Sequence, residues 1–145
     1  MTDEEILKQA RKILKRRVRR NATLSNPNAV RDYLMMELAD RERESFFVVF
    51  LNSQHAILEM EEMFVGTIDG AAVYPREVAK SALLHNAAAV LFAHNHPSGV
   101  CEPSAADRRI TERLTSALSL MDIRVLDHFI VAGAESYSFA ESGLI

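Results

Sequence analysis

A single cysteine, Cys101, is all the thiol chemistry this 145-residue chain contains. It has no partner for an internal disulfide, which fits a reducing compartment. No apolar run approaches the roughly 18 residues a membrane span requires, so no membrane segment is expected. The opening MTDEEILKQARKILKRRVRR lacks the apolar core and small-residue cleavage site of a secretory signal. The expected location is therefore cytoplasmic. Internal repeats and low-complexity segments are lacking too. What remains is 48% apolar and 26% charged, the composition of one globular domain with a real core.

An excess of positive charge is also lacking, because the net charge is −3. That figure hides a split. Residues 1–20 carry eight Lys/Arg against three Asp/Glu, and the rest carry nine against seventeen. An acidic body with a basic first helix does not look like a dedicated nucleic-acid binder. KRRVRR would suit phosphate, a membrane surface or an acidic partner. The plainer reading is a solvated helix end whose cations favour the negative pole of the helix dipole.

Periodicity predicts a helix over 3–20, with Ile6, Ala10, Ile13, Leu14 and Val18 as a narrow apolar stripe. Residues 21–26 break it. Asn26 before Pro27 suits a second helix start, running to about Ala39 with Val30, Leu34, Met35 and Leu38 on one face. Residues 1–40 thus read as an N-terminal helical extension, a cap or oligomerisation arm, on a domain over 41–145. SFFVVFLN is expected to be a strand buried on both faces. After a turn at Asn52-Ser53-Gln54, HAILEM suggests a hairpin partner, and MFVGTI (63–68) a third strand ended by Asp69-Gly70. Pro75 opens a helix to about Ala87, followed by a buried strand AAVLFA (88–93). Ser104 opens another helix, with Ile110, Leu114, Ala117, Leu118 and Met121 inward. IRVLDHFIVAG (123–133) and SYSFA (136–140) finish as strands. The expected fold is α/β, a mixed β-sheet flanked by helices in three layers.

Chemistry concentrates in AHNHPSGVCEPSAAD, residues 93–107. Side chains at i and i+2 of a strand share a face, so His94 and His96 point together beyond the strand's carboxyl end. α/β sheets usually keep their chemistry at that end. Pro97, Gly99 and Pro103 restrict the turn that brings Asp107 back. Two imidazoles and a carboxylate aimed at one point suit zinc, with a fourth position left for water. Such an ion acidifies water and polarises a carbonyl. Taken alone, Ser104-Ala-Ala-Asp107 is more often a capping box than a ligand pair. Cap and ligand need not compete, since a carboxylate in a first helical turn is rigidly held.

The spacing H-x-H-x7-S-x-x-D, read as His94, His96, Ser104 and Asp107, resembles the JAMM (MPN-type) metalloprotease signature. HNHPSG, Pro75-Arg76-Glu77, VLDHFIVAG and YSFAESGLI are similar to the RadC family within that superfamily, over roughly residues 35–145. The resemblance implies the cytidine-deaminase-like architecture of that superfamily and a Zn2+ cofactor. It implies His94, His96 and Asp107 as metal ligands, and Ser104 as the group orienting the water or the oxyanion. A proton shuttle is also needed within reach of the water. Glu42, Glu44, Glu59, Glu61, Glu62 and Glu77 are the candidates. JAMM proteins carry this glutamate just before an early buried strand, the place of Glu44; Glu77 is the runner-up, although it reads more simply as a helix first-turn acid.

Cys101 reads as a spacer in the loop, and His128, interrupting an apolar strand, as a hydrogen-bonded structural histidine. His55 and His85 read as surface or packing residues, and Met35-Met36 as core filler. A zinc nucleobase deaminase is set aside, since H-x-E and P-C-x-x-C are absent. Two functions remain. One is a zinc hydrolase of peptide or isopeptide bonds, acting on a peptide or protein substrate. The other is a metal-binding module in DNA transactions, protease-inactive, binding or cutting nucleic acid. The RadC name carries a DNA-repair association, and members often bear an N-terminal helix-hairpin-helix-like DNA-binding segment, which a chain of this length is not expected to include. Only the basic helix over 1–20 would stand in for it. The N-terminal helices and edge strands offer surfaces for a homo-oligomer.

Overall fold

The computed structural model describes residues 1–20, 27–66 and 73–145, with backbone alone at 18–20 and 27–29. The expected break over 21–26, the Val18 side chain and Asp69-Gly70 lie outside the described residues. Helices α1 (Asp3–Arg20) and α2 (Pro27–Leu38) precede strands β1 (Ser45–Leu51) and β2 (Ile57–Val65). Then come α3 (Pro75–Leu84), β3 (Ala89–Asn95), α4 (Ala105–Ser119), β4 (Arg124–Ala132) and β5 (Glu135–Ser138). The strands form one sheet in the order β2-β1-β3-β4-β5. Only β3 and β4 run parallel, so the sheet is mixed as expected.

β1 is apolar throughout because both its faces are covered. Phe46, Val48 and Phe50 pack with Val78 and Ala82 of α3 and with Ile110, Leu114 and Leu118 of α4. Phe47, Val49 and Leu51 pack on the other face with Val30, Tyr33, Leu34 and Leu38 of α2. The sheet is thus the middle layer of three.

Several local expectations are corrected. HAILEM and the start of MFVGTI form one strand, β2, rather than two; residues 67–68 lie outside the described residues. Glu61 and Glu62 do not interrupt it, because β2 is a sheet edge and its charged side chains reach solvent or ion-pair partners. The register skips Leu58 and Met63, which absorb the irregular apolar spacing as bulges. On α1 the inward stripe is Leu7, Ala10, Arg11 and Leu14, each half-buried, whereas Ile6 and Ile13 are 50% and 42% exposed. Leu14 alone of the expected pair Ile13-Leu14 reaches the α2 side of the core. α3 stops at Leu84, short of Ala87, because Asn86 takes a left-handed φ of 57° that ends the helix. Among the described residues no helix is long and apolar enough to cross a membrane.

Candidate metal centre

β3 delivers His94 as its penultimate residue, and the chain leaves the strand at His96. His96 N–H donates to the Val131 carbonyl of β4 at 2.8 Å, which extends the parallel register by one residue. The turn after it is tight. Gly99 adopts a φ of 86°, a conformation that glycine takes without strain, and its N–H donates to the His96 carbonyl at 3.1 Å. Val100 is thereby returned so that its carbonyl oxygen accepts from His96 Nδ1 at 2.7 Å. The neutral His96 ring therefore turns Nε2 inward as a bare acceptor.

Ser104 is the N-cap of α4. Its Oγ accepts the Asp107 N–H at 3.1 Å, and Asp107 Oδ2 accepts the Ser104 N–H at 2.7 Å. The capping box is complete. The same carboxylate faces the histidines, with Oδ1 2.9 Å from His94 Nε2 and Oδ2 3.0 Å from His96 Nε2. The two Nε2 atoms are themselves 3.0 Å apart. Cap and cluster coexist because one carboxylate oxygen is shared and the other is free for His94. His94 and Asp107 are buried, and the His96 side chain is 11% exposed.

These three residues are positioned to hold a metal ion, each offering one ligand atom. Zinc bonds of about 2.0–2.1 Å at tetrahedral angles separate donor atoms by roughly 3.3 Å, so an outward shift of a few tenths of an ångström suffices. The donor chemistry argues the same way. Two imidazole lone pairs and a carboxylate facing one another at these distances repel unless a proton or a cation lies among them. Burial pushes the Asp107 carboxyl up, but protons lying between it and the His94 and His96 rings, with the Ser104 N–H, outweigh burial and hold it well below the usual carboxylate range. His96 is raised by its hydrogen bond to Asp107, against burial.

Glu44 sits directly before β1, half-buried. Its negative charge is among the influences raising His96, so the two are within electrostatic reach. It lines a cavity of about 430 Å³ with Glu42, Arg43, Gly66, Pro97 and Ser98, the last two adjoining His96 in sequence. The other glutamates are occupied elsewhere or face solvent. Glu61 pairs with His85, Glu62 pairs with Arg41, and Glu42, Glu59 and Glu77 are exposed. Glu77 stands in the first turn of α3, the simple helix-end role.

His128 is fully buried. Its ring stacks on Phe139 and meets the edges or faces of Phe46 and Phe92. Its Nε2 is 2.7 Å from His94 Nδ1, and its Nδ1 is 2.6 Å from Thr111 Oγ1. It is the structural histidine expected, and burial followed by the neighbouring His94 drives it well below its ordinary pKa. Cys101 is half-buried with Sγ 3.5 Å from the Ile130 carbonyl, and burial pushes its thiol up. His85 packs on Phe50 as well as pairing with Glu61. His55 occupies the β1–β2 turn with a φ of 61°.

Two contributors escape sequence reasoning. Asn95, between the histidines but on the opposite face, accepts the Ser45 N–H at 2.6 Å and donates to the Arg43 carbonyl at 3.0 Å. It thereby ties the segment carrying Glu44 to the metal-site strand. Thr111 lies one helical turn beyond Asp107, and that i, i+4 spacing was its only visible signal.

A mixed sheet sandwiched by helices, with a His-His-Asp cluster at the carboxyl end of a parallel strand, defines an α/β domain whose cluster is positioned to hold a metal ion. The RadC-like JAB domain model matches residues 24–144, and the chain belongs to that family. A UPF0758 protein of Thiobacillus denitrificans is 55% identical over 140 residues, covering 97% of this chain and 62% of its own length. UPF0758 proteins of Vibrio parahaemolyticus and Vibrio cholerae are 52% and 54% identical over 142 residues, covering 98% of this chain. The chain spans 63% of the length of each Vibrio relative.

Proposed function

We propose that this chain is a zinc-dependent hydrolase of peptide or isopeptide bonds. His94, His96 and Asp107 are its ligands, Glu44 its proton shuttle and Ser104 its oxyanion-orienting group. The observation that carries the reading is the convergence of two Nε2 atoms and one carboxylate within 3.0 Å, on the side of the fold where Glu44 lines a cavity. Zinc, when bound, supplies a Lewis acid for a substrate carbonyl and lowers the pKa of water to about 7.

The chain's own residues do the rest. Glu44 takes a proton from the attacking water and returns it to the leaving amine, a contribution of about 10²–10⁴-fold. Ser104 Oγ already accepts the Asp107 N–H, so its hydroxyl proton is left to donate to the oxygen that becomes negative. The capping box keeps Ser104 and Asp107 rigid relative to each other. The cavity beside Glu44 would receive the extended backbone of a peptide.

The deciding measurement pairs metal content with cleavage of peptide and isopeptide libraries. Wild type is expected to carry stoichiometric zinc and to cleave; Glu44→Gln is expected to carry zinc and not cleave. Metal-free wild type, or equal cleavage by both proteins, would overturn the assignment. The DNA-transaction alternative would rest on the exposed cations Lys8, Lys12, Lys15, Arg16 and Arg17 of α1. It predicts salt-dependent DNA retention that disappears when these are exchanged for glutamine.

A further inference from the structure

A closed circuit of polar contacts, hydrogen-bonded from His94 Nδ1 round to the Asp107 carbonyl, runs behind the candidate metal site. From Asp107 Oδ1 it passes to His94 Nε2 at 2.9 Å, then from His94 Nδ1 to His128 Nε2 at 2.7 Å. It continues from His128 Nδ1 to Thr111 Oγ1 at 2.6 Å, and the Thr111 hydroxyl donates to the Asp107 carbonyl at 2.8 Å. The circuit joins three elements, β3, β4 and α4, and returns to the residue from which it began.

The direction of every proton follows from its far end. A carbonyl oxygen only accepts, so the Thr111 proton is committed to Asp107. The same hydroxyl can then meet His128 only as an acceptor, and His128 Nδ1 must carry the hydrogen. Among the rings of Phe46, Phe92 and Phe139, and with no exposure, His128 is neutral and has one N–H. Its Nε2 is therefore bare and accepts from His94 Nδ1–H. In the neutral His94 ring, Nε2 is then left as a lone pair aimed at Asp107 and His96.

We infer that Thr111 and His128 are positioning residues that fix the His94 tautomer, so that its Nε2 is always presented unprotonated to the metal. This rests on the metal-site reading above and extends it by two residues that touch no substrate. His96 reaches the same end by a backbone route, through the Val100 carbonyl. His94, buried in the sheet, is served by a side-chain relay instead. Partners of this kind, behind a ligand histidine, set ring orientation and ligand basicity.

Removing one atom tests the relay. Thr111→Val keeps the shape and deletes the acceptor. His128 Nδ1–H then lacks a partner, the ring prefers the Nε2–H form, and His94 Nδ1 becomes the acceptor. The proton of His94 moves to Nε2, where it blocks the ligand atom. Two readouts are needed on the full chain. The first is the histidine tautomer in metal-free, 15N-labelled protein at mildly alkaline pH, where wild type should show Nδ1–H at both His94 and His128. The second is affinity for added Zn2+ by chelator competition, which should fall about 10–100-fold in Thr111→Val.

Thr111→Ser should restore both readouts. His128→Gln, whose amide can accept from His94 and donate to Thr111, should bind Zn2+ more tightly than His128→Phe. That pair carries the test if Thr111→Val does not fold. Wild-type tautomers and Zn2+ affinity in Thr111→Val would overturn the inference, as would a loss that serine does not restore or equal affinities in the two His128 variants. A wild type that takes up no Zn2+ sinks the hydrolase reading and this one with it. Undiminished uptake in Thr111→Val sinks this one alone.

Discussion

His96 Nε2 stands 3.0 Å from Asp107 Oδ2, across a separation of eleven residues and a proline-bounded turn. Asp107 thus serves two structures at once, the end of a helix and the His-His-Asp cluster. Its substitutions should separate the two. Asp107→Asn retains an acceptor for the Ser104 N–H and should keep α4 capped, whereas Asp107→Ala should lose about 1 kcal/mol of stability with the cap. Both should lose zinc uptake. Thermal unfolding of the metal-free variants, set beside chelator competition, measures each effect.

The pH response has two opposing sides. Asp107 is depressed, so its pairing stabilises the metal-free protein above the unfolded carboxyl range of about 3.9 and fades as pH falls below it. His96 is raised, so its contribution is complete below about 6.5 and fades as pH climbs through its folded value. Metal-free stability from this pair should therefore peak between those limits. Zinc must displace the His96 proton, so zinc affinity should rise with pH across the same upper boundary and then level. Unfolding curves with and without chelator over a pH series would show the crossing; zinc affinity independent of pH would contradict it.

Asn95 should matter to activity more than to metal. Asn95→Asp keeps the acceptor for the Ser45 N–H and loses the donors to the Arg43 and Arg41 carbonyls. Freed from one side, the Glu44 segment should shift. Cleavage is expected to fall at least tenfold with zinc content retained, and stability by about 1 kcal/mol because two part-buried carbonyls lose their donor. Parallel loss of zinc would mean that Asn95 supports β3 rather than Glu44.

Gly99 tests the turn. Gly99→Ala meets no steric obstacle but must hold a φ of 86°, so the Val100 carbonyl should loosen from His96. A stability cost of about 1 kcal/mol and a several-fold weaker zinc affinity are expected, read by calorimetry.

The histidine pair and the Ser104-Asp107 box were legible in the sequence because both follow from local geometry. Strand period two aligns residues 94 and 96, and a helix's first turn fixes residues 104 and 107 relative to each other. The buried strands were legible for a similar reason, since a fully apolar run has few other places to go. Which glutamate faces His96 was not legible from spacing alone, because six candidates differ only in what the chain brings near them. The location of His128 was decided by tertiary structure too. Leu91 pairs with Asp127 after Val90 pairs with Val125, so Leu126 is skipped in the register. That irregularity returns His128 to the face of Val125, whereas strict alternation would turn it away from His94 and Thr111. Sequence spacing sets short-range faces; pairing across strands, with its bulges, sets which of those faces meet.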